Sequence, residues 1–286
     1  MKLNAELLLH VPDTKLAEGP VWDHRIQGLH WVDIPNGRLH SFNPRTGENQ
    51  WKSFDQMIGA AVPREGGGFI LAMQHGFYSW EGGDDKLKFI GDPEKDDPLN
   101  RFNDGKCDPA GRFWAGSMRI EEPRLAVAAL YCLNEGLAVE EKVDKVRLSN
   151  GMAWTKDAKK MYYIDTPLQR LDTFDFELST AQISNRRTVL QFEPDEYPDG
   201  MCIDEEDCVW IAFYGKGKVV RFDPESKQRL MTIEVPAART TSCCFGGDDL
   251  DTLYITTAAG DGQPYDGALF QVKPGIKGRK ANFSKA

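Results

Sequence analysis

The 286-residue sequence has no run of eighteen or more apolar residues, so no segment can cross a bilayer as a helix. Basic residues are outnumbered, with 35 Lys and Arg against 44 Asp and Glu and a formal net charge of −9. That balance speaks against nucleic acid and against a membrane as partners, since both bind through a basic face. Long amphipathic helical segments are missing, which excludes a parallel α/β fold. Cysteine is sparse, with six residues at 107, 132, 202, 208, 243 and 244. None forms a C-x-x-C pair or a zinc-ribbon spacing, so they read as reduced core thiols. The first apolar run, Leu7-Leu8-Leu9, is too short for the hydrophobic region of a secretion signal, and a cytoplasmic location is expected. The usual catalytic signatures are also missing: no G-x-S-x-G elbow, no H-E-x-x-H and no phosphate loop of the G-x-x-x-x-G-K-[ST] kind. The five histidines are scattered, which gives little support to histidine-based nucleophilic catalysis.

What is present is a repeat. Short aromatic or β-branched strands begin at Leu29, Phe69, Phe113, Met161, Val209 and Leu253, at intervals of 40, 44, 48, 48 and 44 residues. Turns precede several of them, as in Asp108-Pro109-Ala110-Gly111 and Gly246-Gly247-Asp248-Asp249. A further strand then ends at Asn or Asp, as in Leu39–Asn43, Leu171–Asp175 and Val219–Asp223. Pro44 and Pro224 stop two of these ladders, because proline has no N–H to donate. A period in the forties with Gly, Pro and Asp turns predicts an all-β, six-bladed β-propeller with a central channel, spanning residues 1–286 as one domain. A large β-sandwich is the competing all-β architecture. Residues Asn4 to Val11 are expected to close the ring as the outer strand of the blade holding Leu253–Val272.

Four polar-glycine pairs recur at one phase of the repeat: Glu18-Gly19, Asn103-Asp104-Gly105, Asn150-Gly151 and Asp199-Gly200. Loops entering the inner strands are the expected carriers, so these residues should gather at one mouth of the channel. Each pair alone also reads as a plain turn. At a common centre, Glu18, Asn150 and Asp199 would supply two carboxylates and an amide oxygen. Such a set suits a hard divalent cation. Arg101 and Asn103 should point to the same side of their strand; Arg101 can donate several hydrogen bonds to carbonyl or hydroxyl oxygens, and Asn103 can both donate and accept. Glu121 and Glu122 fall in a connection long enough to fold over the channel mouth.

At these residues the chain resembles the regucalcin (senescence marker protein) and gluconolactonase family. The matching stretches are Ala17–Trp22, Arg101–Lys106 with Asp108–Arg112, Ser149–Trp154, Tyr197–Met201 and Thr240–Gly247, and the likeness runs over nearly the whole chain. The resemblance implies a six-bladed propeller holding one divalent cation, with Ca²⁺ first and Zn²⁺, Mn²⁺, Mg²⁺ or Fe²⁺ also found. It implies Glu18, Asn150 and Asp199 as metal ligands, and Arg101, Asn103 and Glu121 as substrate contacts. The implied activity is metal-dependent hydrolysis of a small-molecule sugar lactone, with Asp199 as the candidate catalytic base. Two other functions fit the same frame: an organophosphate or aryl-ester hydrolase, and a calcium-binding or interaction propeller without turnover. The chain departs from the family at Ala128, where members often have glycine, and the segment after Glu121 is shorter than in the animal proteins.

Overall fold

Six sheets of at least four strands each, antiparallel but for one added parallel strand, account for the strands of the computed structural model, which describes residues 1–260, 262 and 264–286. Blade one runs Ala17–Asp23, Gly28–Asp33, Arg38–Asn43 and Glu48–Ser53. Blade two runs Ile58–Pro63, Phe69–Met73, Gly76–Trp80 and Lys88–Gly91. Blade three runs Asn100–Cys107, Phe113–Arg119, Ala128–Leu133 and Val139–Val146. Blade four runs Ser149–Trp154, Lys160–Asp165, Arg170–Glu177 and Gln182–Gln191. Blade five holds Tyr197–Ile203, Val209–Tyr214, Lys218–Asp223 and Gln228–Glu234, and blade six Thr240–Gly246, Thr252–Thr257 and Leu269–Val272. The first strand of each blade packs against the first strands of both neighbours, so six inner strands line one axis. The six apolar strands read from the sequence are the second strands of the blades.

The N-terminus closes the ring. Glu6–Leu9 pairs antiparallel with Leu269–Val272 and becomes the outer strand of blade six, as expected. Lys2–Asn4 also adds to the outer edge of blade five in parallel, with Leu3 opposite Ile233. One short segment therefore ties the last two blades together.

The core lies between the faces of adjacent blades. Strand alternation sends one set of side chains into each interface. Trp114 of blade three packs with Trp154, Met161, Tyr163 and Phe176 of blade four. Trp210 of blade five packs with Phe245, Ile255 and Phe270 of blade six. Each such aromatic removes about 150–250 Å² from water, and at ~25 cal/mol per Å² that is several kcal/mol per ring. Buried aspartates then satisfy indole N–H groups: Trp114 Nε1 donates to Asp108 Oδ2 and Trp210 Nε1 to Asp204 Oδ2, both at 2.9 Å. All six cysteines are buried free thiols, in keeping with their reading as core residues.

The polar-glycine pairs lie within the inner strands and not on loops entering them. Each inner strand carries a register shift at this level: between Glu18 and Val21, Ile58 and Ala60, Phe102 and Asp104, Ser149 and Met152, Pro198 and Met201, and Thr240 and Ser242. A bulge inserts an unpaired residue and re-aims its side chain. This turns polar residues of a buried strand toward the axis.

Candidate functional site

Glu18, Arg101, Asn103, Asn150 and Asp199 come together at one end of the axis, where they line a cavity of about 630 Å³. Blades one, three, four and five supply them. Each is at least nine-tenths buried. Leu16, Met118, Pro123, Leu148, Pro167 and Pro194 form apolar wall, and Tyr197 and Tyr214 add aromatic edges.

The backbone leading to these residues is fixed by aspartates at the ends of second strands. Asp33 accepts from the N–H groups of Lys15 and Leu16, just before Glu18. Asp165 accepts from those of Arg147 and Leu148, just before Asn150. Buried backbone donors must find acceptors, and here the acceptor doubles as an anchor for the site. The glycines act differently from one another. Gly19 has a φ of +53°, where a side chain is strained. Gly151 instead permits contact: a Cβ there would lie 2.8 Å from the Asp199 carbonyl oxygen and 2.9 Å from the Met201 nitrogen.

Hydrogen bonds set the side-chain orientations. Asn150 Nδ2 donates to Thr166 Oγ1 at 2.8 Å, and Thr166 Oγ1 donates to the Pro198 carbonyl at 2.7 Å. The Asn150 Oδ1 atom is left buried without a hydrogen-bond partner. Arg101 Nη1 donates to the Phe102 carbonyl at 2.8 Å and to Asn103 Oδ1 at 2.9 Å, and Asn103 Nδ2 donates to the Ser149 carbonyl at 2.8 Å. Asn103 thus holds Arg101 in place as well as facing the cavity.

The electrostatics are those of an acidic floor only partly offset by Arg101. Burial, and after it the nearby Asp199 and Asp104, raise the Glu18 carboxyl well above the usual range. Burial and Asp104 raise Asp199 likewise, against a hydrogen bond from Asn150. Burial pulls the Arg101 guanidinium down to about 10, opposed by Glu18 and Asp199. Carboxylates this close and this dry either protonate or share a cation. Two carboxylates, an amide oxygen with no partner and no soft donor fit a hard divalent ion, which Glu18, Asn150 and Asp199 would hold. Among the described residues no three His, Cys, Asp or Glu side chains form a metal cage, so the asparagine is needed to complete the set.

Two placements differ from the sequence reading. Glu121 is exposed on the connection after Phe113–Arg119 and does not line the cavity; a turn bond from Leu125 N to the Glu122 carbonyl folds this connection. Pro123 and Arg124 reach the cavity instead. Asp104, next to the selected Asn103, is buried, lines a second cavity and raises both acids electrostatically, a role its position in the Asn-Asp-Gly run did not reveal. That cavity, of about 290 Å³ and farther along the inner strands, includes Lys106, Trp22 and Trp154, and residues Arg279–Asn282 cross its end.

An all-β propeller with an acidic axial pocket defines the broad class. The chain matches the family described as SMP-30/Gluconolactonase/LRE-like region over residues 16–259, and it belongs to that family. It is 40% identical over 277 residues to regucalcin of Danio rerio, covering 92% of each chain. Among solved structures, luciferin-regenerating enzyme superposes with a TM-score of 0.92 at 31% identity, covering 99% of both chains. A structure described as a calcium-binding protein, regucalcin, from Agrobacterium tumefaciens superposes with a TM-score of 0.93 at 24% identity, covering 99% of this chain and 98% of that one.

Proposed function

We propose that this protein is a divalent-metal-dependent hydrolase that opens sugar lactones. The observation that carries the reading is the buried, partnerless Asn150 Oδ1 beside the Glu18 and Asp199 carboxylates at the floor of an open cavity. Membership of a gluconolactonase-like family supports the substrate class. The oxygen-only donor set favours Ca²⁺ and accommodates Mg²⁺ or Mn²⁺. When bound, such a cation supplies positive charge to an ester carbonyl oxygen and stabilises the anion that develops there.

The chain's own residues do the rest. Arg101 and Asn103 hold the ring hydroxyls and orient the ester, which replaces random encounter by a fixed approach. Asp199 takes a proton from water as the water oxygen bonds to the carbonyl carbon. The ring C–O bond then breaks, and the departing alkoxide oxygen takes that proton to give the open hydroxy acid. The leucine, proline and tyrosine walls limit water around the carboxylates, so charge is weakly screened at the reacting centre.

Stripping the metal, adding back single cations and following acid release on several aldonolactones by pH-stat tests the reading. Turnover that returns with a divalent ion supports it. Rapid hydrolysis of phosphotriesters with no lactone opening points to the organophosphate branch of this frame. Tight cation binding with no turnover on any ester leaves the non-catalytic calcium-binding reading.

A further inference from the structure

The cavity is electrically divided. Its two acids, Glu18 and Asp199, come from blades one and five, the neighbours of blade six. Its three arginines come from the opposite side of the ring: Arg101 lies on the inner strand of blade three, Arg124 on that blade's connection, and Arg147 just beyond its outer strand. Glu18 and Asp199 are the only carboxylates lining the cavity among the described residues.

Arg101 is committed to Phe102 and Asn103. Arg124 and Arg147 are not committed in this way. Among the described residues neither makes a side-chain ion pair. The carboxylate near Arg147 is Asp165, which is already held by the backbone N–H groups of Arg147 and Leu148. Glu121 and Glu122 share the connection with Arg124, but both are exposed and off the cavity wall. A cation among the acids would leave the pocket strongly positive, in a chain whose formal net charge is −9. A neutral sugar ring offers these two guanidiniums hydroxyl acceptors but no charge to balance theirs. A carboxylate or phosphate group accepts their paired N–H donors in a planar fork.

We infer that the substrate carries an anionic group, a carboxylate or a phosphate ester, at the end remote from the lactone ester, and that Arg124 and Arg147 bind it. This rests on the lactone-opening reading. The cation side of the cavity then faces the ester and the blade-three side faces the anion. A volume of about 630 Å³ is ample for a six-carbon lactone with such a group. The arginines therefore act as specificity-determining residues.

The experiment compares three lactones of one ring size: a neutral aldonolactone, an analogue ending in a carboxylate, and a 6-phosphate ester. Wild type, Arg124→Gln, Arg147→Gln and the double variant are assayed after reconstitution with Ca²⁺. Wild type is expected to prefer at least one anionic lactone by about tenfold to a hundredfold in kcat/KM, the range of one or two charge-assisted hydrogen bonds. The double variant should lose most of that preference through KM, and added salt should erode it in wild type. Which anionic lactone responds distinguishes carboxylate from phosphate. A neutral lactone opened as fast as both anionic ones, or a preference unmoved in the double variant, overturns the inference while leaving the lactonase reading standing. If no lactone is opened, calorimetric titration with an open-chain sugar carboxylate and a sugar phosphate decides separately. Arginine-dependent binding keeps the anion site and sinks only the reaction; binding that ignores both arginines sinks the site.

Discussion

Asn103 of blade three donates from Nδ2 to the backbone carbonyl of Ser149, at 2.8 Å, in the residue directly before Asn150 on blade four. The same amide accepts from Arg101 Nη1 at 2.9 Å. One side chain therefore couples the arginine that would hold substrate to the strand that carries the oxygen proposed to bind metal. Asn103→Ala leaves a buried carbonyl and a guanidinium N–H without their partner. The expected result is a KM raised about tenfold with kcat changed less than about threefold. Steady-state kinetics on one aldonolactone check it, and a pure kcat defect would contradict the positioning role.

Metal removal should cost stability as well as activity. Glu18 and Asp199 are held well above the usual carboxylate range, both first by burial, then Glu18 by Asp199 and Asp104 and Asp199 by Asp104, so the metal-free site carries strain that a cation relieves. At a hundredfold excess over its Kd, a ligand stabilises the fold by about 2.7 kcal/mol. For a chain of this size that is a Tm change of roughly 4–5 °C on chelation. Asp199→Asn should abolish most of this response, and it should lower lactone opening by about a thousandfold. Scanning calorimetry with and without chelator reads the first effect. A mutant whose Tm still falls on chelation would place the cation elsewhere.

The buried histidines predict a stability loss on acidification that is separate from the site. His30 is pushed down to about 4 and His40 to about 3, in each case mainly by burial. His30 Nδ1 pairs with Ser41 Oγ at 2.8 Å, and His40 stacks on Trp31 at 3.7 Å between ring centroids. Unfolded, both imidazoles take up protons below about pH 6.5. Between that pH and about 4 the unfolded chain binds more protons than the folded one, so stability falls as pH is lowered through this window. Above pH 6.5 neither group adds a slope. For His30 alone the full effect is about 3 kcal/mol. Urea midpoints at pH 7, 5.5 and 4.5 should fall in order, and His30→Gln should flatten the trend.

The propeller was legible because its signal is periodic. Leu29, Phe69, Phe113, Met161, Val209 and Leu253 each open or nearly open a second strand, and a six-fold rhythm survives errors in any one copy. The convergence of Glu18, Asn150 and Asp199 was legible for the same reason. The bulges were not, because a local slip of register leaves no mark in hydrophobic alternation; the polar-glycine positions therefore read as loops when they are strands. The anchoring by Asp33 and Asp165 was not legible, because their backbone partners lie seventeen or eighteen residues away. The Lys2–Asn4 addition to blade five was hidden because a three-residue parallel strand has too few residues to show a pattern. Glu121 illustrates the opposite weakness. Its place in a connection was readable, but which residues of that connection turn inward depends on how the turn at Glu122 folds.

Gly151 offers the sharpest test of how closely the donors must sit. It lies between Asn150 and the next inner strand, where an added Cβ would meet Met201 Cγ at 2.7 Å, the Asp199 carbonyl oxygen at 2.8 Å and the Met201 nitrogen at 2.9 Å. A methionine side chain can yield, but two backbone atoms of a paired strand cannot without moving the strand. Gly151→Ala should push the inner strands of blades four and five apart and separate Asn150 from Asp199. Overpacking of this kind costs about 1–3 kcal/mol. Cation affinity should fall by about tenfold or more, because the donors no longer reach one ion. Gly66→Ala, where an added methyl meets nothing within 4 Å, is the matched control and should keep both Tm and affinity. Calorimetric titration of Ca²⁺ into both variants reads the difference. Unchanged affinity in Gly151→Ala would mean that Asn150 and Asp199 do not share a ligand.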